Sequence, residues 1–180
     1  MKKSSLFIIA FSILLLAGCD TYKIEVDLPT EEIADISNEI NLLKEEIAVY
    51  TPTEDNPIPW AATIDLSLAY EELGELGRAI EIYEDVINDG HATKAILHNL
   101  GRLYEKTGQF DKAVASYEGI VNEYFDEDYL YDITWAYIRA GDRKNAEKYF
   151  NAWQLEFSKT DEQTQQAIKK LREQEKGDNQ

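Results

Sequence analysis

The apolar residues in the middle of the chain recur at steps of three and four residues, which is the spacing of an α-helix with one buried face. One such stripe comprises Leu97, Leu100, Leu103 and Tyr104, and the next comprises Val114, Tyr117, Ile120 and Val121. Gly108 lies between them, and glycine ends a helix in the left-handed conformation without a Cβ penalty. The pattern predicts two helices joined by a tight turn at Gly108.

The same pattern returns along the chain at intervals of 34 and then 33 residues. The matching residues are Tyr70, Gly74, Ala79 and Tyr83, then Tyr104, Gly108, Ala113 and Tyr117, then Tyr137, Gly141, Ala146 and Phe150. A unit of this length is a helical hairpin that cannot bury its apolar face alone and must stack on a neighbour. Small residues such as Ala113 and Gly101 fit where two helices cross closely.

These residues resemble the tetratricopeptide repeat, a helical hairpin whose stacks form protein-binding surfaces. The resemblance covers residues 60–160 and implies an all-α stack of three units, 60–93, 94–126 and 127–160, with a helix on each side. The chain departs from the family pattern at the end of its third unit, where Trp153 stands in place of the usual alanine.

The amino-terminal sequence has the pattern of a secretory signal. Residues 1–18 contain two lysines and an apolar run that is shorter than the roughly 20 residues needed to span a bilayer. Residues 16–19 resemble the bacterial lipobox and end in Cys19, the only cysteine of the chain. The resemblance implies cleavage before Cys19, lipidation of its thiol and a tether over residues 19–30. An uncleaved anchor that ends in cysteine is the alternative.

Asp20 adds an expectation about location. In Gram-negative bacteria, aspartate after the lipidated cysteine resembles the signal that retains a lipoprotein in the inner membrane. We therefore expect a lipoprotein that faces outside the cytoplasm. In a Gram-negative cell it would lie on the outer leaflet of the inner membrane, in the periplasm.

Charge and residue types argue against catalysis. The formal net charge is −17, which disfavours a nucleic-acid partner. His91 and His98 lie seven residues apart without a metal-binding pattern beside them. The sequence contains no nucleophile elbow, phosphate-binding glycine loop or two-histidine zinc motif. We therefore expect no catalytic residues, no metal, no cofactor and no enzymatic activity.

An amphipathic helix is predicted before the repeats, over residues 31–50, and a proline-rich linker follows at residues 51–59. The apolar seam of this helix comprises Ile33, Ile36, Ile40, Leu43 and Ile47. It spans only about two and a half heptads. The helix therefore either joins copies of the chain or covers the open face of the first repeat.

A last helix is predicted after the repeats, over residues 161–176, with a tail at residues 177–180. Thr160 and Gln163 have the spacing of a capping box at its start. Its narrow apolar stripe predicts a terminal helix that covers the last repeat.

The family resemblance also implies where a partner would bind. Tetratricopeptide repeats line a concave surface with residues of their first helices, including the fifth and ninth positions of each unit. Carried over to this chain, the candidate residues are Ile64, Leu68, His98, Arg102, Tyr131 and Trp135. They predict a groove for an apolar or amphipathic peptide whose acidic group pairs with Arg102. In the alternative, Trp135 packs on the last helix, and the first helix covers Ile64 and Leu68.

These patterns predict a membrane-anchored, non-catalytic adaptor or scaffold that binds another protein of the cell envelope. The alternative is a structural envelope protein that self-assembles through helix 31–49 and is therefore a homo-oligomer.

Overall fold

The computed structural model describes residues 23–53, 58–121 and 126–178, and every regular element within them is an α-helix. The helices are α1 (Thr30–Val49), α2 (Trp60–Glu72), α3 (Leu76–Asn88), α4 (Lys94–Lys106), α5 (Phe110–Val121), α6 (Glu127–Ala140), α7 (Arg143–Phe157) and α8 (Glu162–Asp178). The all-α prediction is confirmed. The predicted signal sequence and Cys19 lie outside the described residues, as does part of the proline-rich linker. No helix within the described ranges is long and apolar enough to cross a bilayer.

Six of these helices form three consecutive hairpins, α2–α3, α4–α5 and α6–α7. Each hairpin turns at the glycine that the repeat pattern marks, namely Gly74, Gly108 or Gly141, and all three have positive φ. Successive hairpins pack on each other through α3 and α4 and through α5 and α6. The predicted stack of helical hairpins is confirmed.

The small residues of the repeat mark close helix crossings. Ala113 and Ala146 have no exposed surface, and the Tyr117 side chain is fully buried. A Cβ atom added to Gly101 would lie 2.6 Å from Cε1 of Tyr117. Because a packed interior has no free volume for that atom, α4 has a glycine where the Tyr117 ring of α5 crosses it.

The first tyrosine of the repeat links each hairpin to the one before it. The Tyr137 hydroxyl donates to Oε1 of Glu118 at 2.5 Å, and the Tyr104 hydroxyl donates in the same way to Glu84. Burial, with these carboxylates beside the hydroxyls, raises the pKa of both tyrosines. The pattern tyrosine therefore has a polar role at the boundary between hairpins as well as an apolar role in the core.

Helix α1 packs on α2 through the predicted apolar seam. Ile36 and Ile40 are each only 5% exposed. The rest of the seam comprises the half-buried Leu43 and Ile47 and the exposed Ile33. Tyr70, which has no preceding hairpin to bond, lies beneath Lys44 of α1, whose Nζ is 5.3 Å from the ring centroid. Helix α1 therefore covers the first face of the stack within one chain.

The segment before α1 lies along the first hairpin. The Ile24 N–H donates to the Gly74 carbonyl at 2.8 Å, and Lys23 pairs with Glu75 at 3.1 Å. Leu28 packs against the core. A Cβ atom at Gly74 would lie 2.3 Å from the Ile24 carbonyl oxygen. The described part of the expected tether, from residue 23 onward, is therefore attached to the α2–α3 turn instead of running free.

Helix α8 covers the other end of the stack by packing on α6 and α7. Thr164 and Ile168 are its buried residues. The expected capping box is wrong by one position, because Asp161 rather than Thr160 accepts the Thr164 N–H, at 2.8 Å. Thr160 is exposed.

We expect Ile40→Ala to lower the free energy of unfolding by about 2–4 kcal/mol, because it removes buried contacts between α1 and α2. Leu42→Ala is the matched control on the same helix, since Leu42 is 67% exposed. Its effect should stay within about 0.5 kcal/mol. Urea unfolding followed by circular dichroism measures both variants. Equally small effects would contradict the packing of α1 on the repeats.

Candidate functional site

The first helices of the hairpins, α2, α4 and α6, are joined by side chains at equivalent positions. Glu71 pairs with Lys106, and Glu105 pairs with Arg139 one hairpin further on. Nearer the start of the helices, Nε2 of His98 lies 2.8 Å from Oδ2 of Asp132. We call the surface that these helices share the first-helix face. Its ion pairs are partly exposed and contribute only about 0–1 kcal/mol each. The packing of α3 on α4 and of α5 on α6 relates the hairpins to one another, and the ion pairs follow that arrangement.

Two rows of candidate residues cross this face because the hairpins are in register. The fifth positions are Ile64, His98 and Tyr131, and the ninth positions are Leu68, Arg102 and Trp135. The fold thus brings all six candidate residues onto one surface.

The ninth-position row is the more accessible of the two. Leu68 is 46% exposed, Arg102 is exposed and Trp135 is half-buried. The Arg139 guanidinium lies 5.5 Å from the Trp135 ring centroid. Leu68 is therefore not covered by α1, and Trp135 keeps part of its surface in solvent beside a cation.

Arg102 supplies a positive charge at the centre of the row. It forms no hydrogen bond or ion pair with another residue in the described ranges. Its guanidinium is close enough to Tyr83 and Tyr117 to lower the pKa of their hydroxyls, although burial raises both pKa values overall. Burial also raises the pKa of the neighbouring Glu105, against the opposing effect of Arg139. Arg102 is thus an exposed positive charge without an ion-pair partner among the described residues.

The residues of the fifth-position row make more contacts with other residues of the chain. His98 is held by Asp132, and Ile64 is half-buried against the core. The Tyr131 ring lies 5.4 Å from the Trp153 ring, and its hydroxyl donates to Asp161 at 3.4 Å. Part of the expected groove at the third unit is therefore occupied by contacts to α7 and to the start of α8.

A cleft of about 670 Å³ lies at the amino-terminal ends of α4 and α6. Its acidic wall comprises Asp126, Glu127, Asp128 and Asp132, and its aromatic wall includes Tyr129, Tyr131 and Trp153. The sequence analysis missed this cleft, because a short acidic run is typical of a solvated turn. The signal that could have identified it is the bulky Trp153 at a position where the repeat family has alanine. No cluster of residues in the described part of the chain could hold a metal ion.

Models of the tetratricopeptide repeat family match the chain over residues 64–88 and over residues 96–122. The chain carries tetratricopeptide repeats. The matched ranges fall on hairpins α2–α3 and α4–α5, and α6–α7 continues the stack with the same turn glycine and the same tyrosine link. Searches of the curated proteins and of the solved structures found no match.

Tetratricopeptide repeats indicate a protein–protein interaction adaptor, so the chain is expected to have protein partners. Proteins built from these repeats are generally non-catalytic scaffolds. The first-helix face presents accessible apolar and charged side chains on its helices, namely Leu68, Arg102 and Trp135.

We expect Asp161→Ala to lower the free energy of unfolding by about 1 kcal/mol, because it removes the cap of α8. Hydrogen bonds from Thr164 lower the pKa of the Asp161 carboxyl. Its stabilising effect is therefore complete above the unfolded pKa of about 3.9 and is lost as pH falls through the lower folded pKa.

Urea unfolding at a series of pH values from neutral to acidic measures this dependence. Thr160→Ala is the matched control and should leave stability unchanged, since Thr160 is exposed. A larger loss of stability in the Thr160 variant than in the Asp161 variant would favour the capping box that the sequence predicts.

Proposed function

We propose that the chain is a membrane-anchored lipoprotein adaptor that holds another envelope protein at the outer side of the membrane. Cys19 is the lipidated residue, and in a Gram-negative cell Asp20 keeps the protein in the inner membrane, facing the periplasm. The support for anchoring is the signal-like sequence of residues 1–18, which is followed directly by Cys19, the only cysteine of the chain. The support for the adaptor role is the tetratricopeptide repeats.

The ninth-position row is the main reason to place the binding surface on the first-helix face. Leu68 and Trp135 offer apolar contacts at its ends, and Arg102 offers a charge between them. Tryptophan and arginine are the residue types that contribute most to protein interfaces.

The partner segment is accordingly amphipathic. Its apolar residues contact Leu68 and Trp135, and an acidic residue between them pairs with Arg102. Because α2, α4 and α6 are rigid and already aligned, this face can bind the segment with little rearrangement.

Self-assembly through helix 31–49 has less support. The seam that would join two copies packs on α2 within one chain, where Ile36 and Ile40 are buried. Of the three exposed large apolar residues of α1, Leu42 and Val49 lie outside that seam, and Ile33 belongs to it.

The mature amino terminus tests the anchor. We expect the intact mass of the membrane-extracted protein to correspond to a chain that starts at Cys19 and carries acyl groups. Cys19→Ser should remove the added lipid mass, because the chain has no other thiol. A wild-type protein that retains residues 1–18 and carries no lipid would contradict the proposal and favour the uncleaved anchor.

Partner capture tests the binding face. We expect a protein captured from intact membranes by the wild type to bind at least about tenfold more weakly to the Arg102→Ala, Trp135→Ala variant, because a lost hot-spot contact exceeds about 1.4 kcal/mol. Leu155→Ala is the control, since Leu155 is 85% exposed on α7 and away from this face. Both variants are first checked for an unchanged unfolding midpoint.

Recovery of the same partners by the double variant would show that the partner binds elsewhere. Recovery of nothing but copies of the chain by the wild type would favour self-assembly.

A further inference from the structure

The segment that precedes α1 fixes where the anchor chain leaves the folded protein. It is attached at the α2–α3 turn by the Ile24–Gly74 hydrogen bond and the Lys23–Glu75 ion pair. The glycine is required there, because a Cβ atom would collide with the Ile24 carbonyl oxygen and also lie 3.0 Å from the Val26 side chain. The anchor chain therefore leaves from one defined end of the repeat stack.

The three hairpin turns share that end. The Glu71–Lys106 and Glu105–Arg139 pairs join α2, α4 and α6 immediately before their turns. A depression of about 350 Å³ connects the second turn, at Gly108, to the end of α6. We call this the turn end. The connections between hairpins lie at the opposite end, the connection end, where Lys159 pairs with Glu127 at 2.9 Å.

Little chain separates the turn end from the proposed lipid. Four residue steps lead from Cys19 to Lys23, and fully extended they reach at most about 14 Å. The chain between Cys19 and Lys23 can thus extend less far than the 13-residue α4, which is about 20 Å long. A lipid on Cys19 therefore keeps the turn end close to the bilayer, whereas the tether places no such restraint on the connection end.

Charge favours the same orientation. Between residues 60 and 160, six of the ten Lys and Arg residues lie within four positions of a turn glycine, where they balance six acidic residues. These basic residues are Arg78, Lys106, Lys112, Arg139, Arg143 and Lys144. Within the same range the connection end has Asp89, Asp126, Glu127 and Asp128 against Lys94 and Lys159. An anionic lipid surface therefore repels the connection end of the hairpins more strongly than their nearly neutral turn end.

We propose that the turn end of the repeat stack rests against the lipid surface, with the acidic cleft at the connection end pointing away from it. This orientation rests on the proposed lipidation of Cys19. It sets α2, α4 and α6 upright on the bilayer, so that the ninth-position row runs roughly parallel to the membrane. A partner segment then reaches Leu68, Arg102 and Trp135 from the side of the stack.

Energy transfer to labelled lipid tests the orientation. The full lipidated protein is reconstituted in vesicles of equal parts phosphatidylcholine and phosphatidylglycerol that contain an acceptor-labelled lipid. A donor dye is attached through Asp111→Cys at the turn end or through Ala92→Cys at the connection end, both exposed positions. We expect at least about twofold more transfer from position 111, because the helix length separates the two sites by about 20 Å.

Two further variants separate the docked segment from the anchor. Ile24→Pro removes the N–H that bonds the Gly74 carbonyl without changing the turn itself. A Gly-Ser insertion between Tyr22 and Lys23 leaves every described contact in place and lengthens only the chain between Cys19 and Lys23. We expect both changes to reduce the difference in transfer between the two dye positions, and the insertion to leave the urea unfolding midpoint unchanged.

The outcomes distinguish the orientation from the anchor. A protein that floats with the vesicles but gives equal transfer from both positions, or more from position 92, overturns the orientation while the lipid anchor stands. A protein that does not float with the vesicles overturns the anchor itself.

Discussion

A single helical hairpin leaves one apolar face in water, and the stacking that buries this face is the constraint on which the whole structure depends. In the middle of the stack the next hairpin supplies the cover, and a buried tyrosine hydroxyl such as that of Tyr137 is satisfied by a glutamate of its neighbour. At the two ends no hairpin remains, so α1 and α8 take that place. The first and last helices are therefore as necessary to the fold as the repeats between them.

The first-helix face shows how one scaffold can carry a specific surface. The residues that hold the hairpins together keep their type from unit to unit, whereas the ninth position changes from Leu68 to Arg102 to Trp135. Because the backbone beneath them repeats, three different side chains are presented at regular distances without any change in the fold. The side chains of this row can then differ without a change in the backbone that presents them.

The sequence predicted the parts of the structure that depend on residue type at a fixed spacing. Gly101 and the turn glycines follow from close packing and positive φ, which few residues tolerate. The docked segment was missed because its main contact joins a backbone N–H to a backbone carbonyl, which leaves no residue signature. The cap of α8 was misplaced because Thr160 and Asp161 are both good capping residues, and only the position of Thr164 decides between them. The candidate residues were identified from their equivalent positions in the three repeats. The hydrogen bond from Tyr131 to Asp161 could not be predicted in this way, because it depends on how α8 packs.

The contact of residues 23–29 with the first hairpin has a mechanical consequence. In a chain anchored at Cys19, tension along the anchor is carried first by the Ile24–Gly74 hydrogen bond and the Lys23–Glu75 ion pair, both at the edge of the stack. These can break while α1 stays packed on α2, since Ile36 and Ile40 lie beyond the detached segment. Seven released residues would add about 24 Å of reach. The protein would thus extend under load without unfolding its repeats.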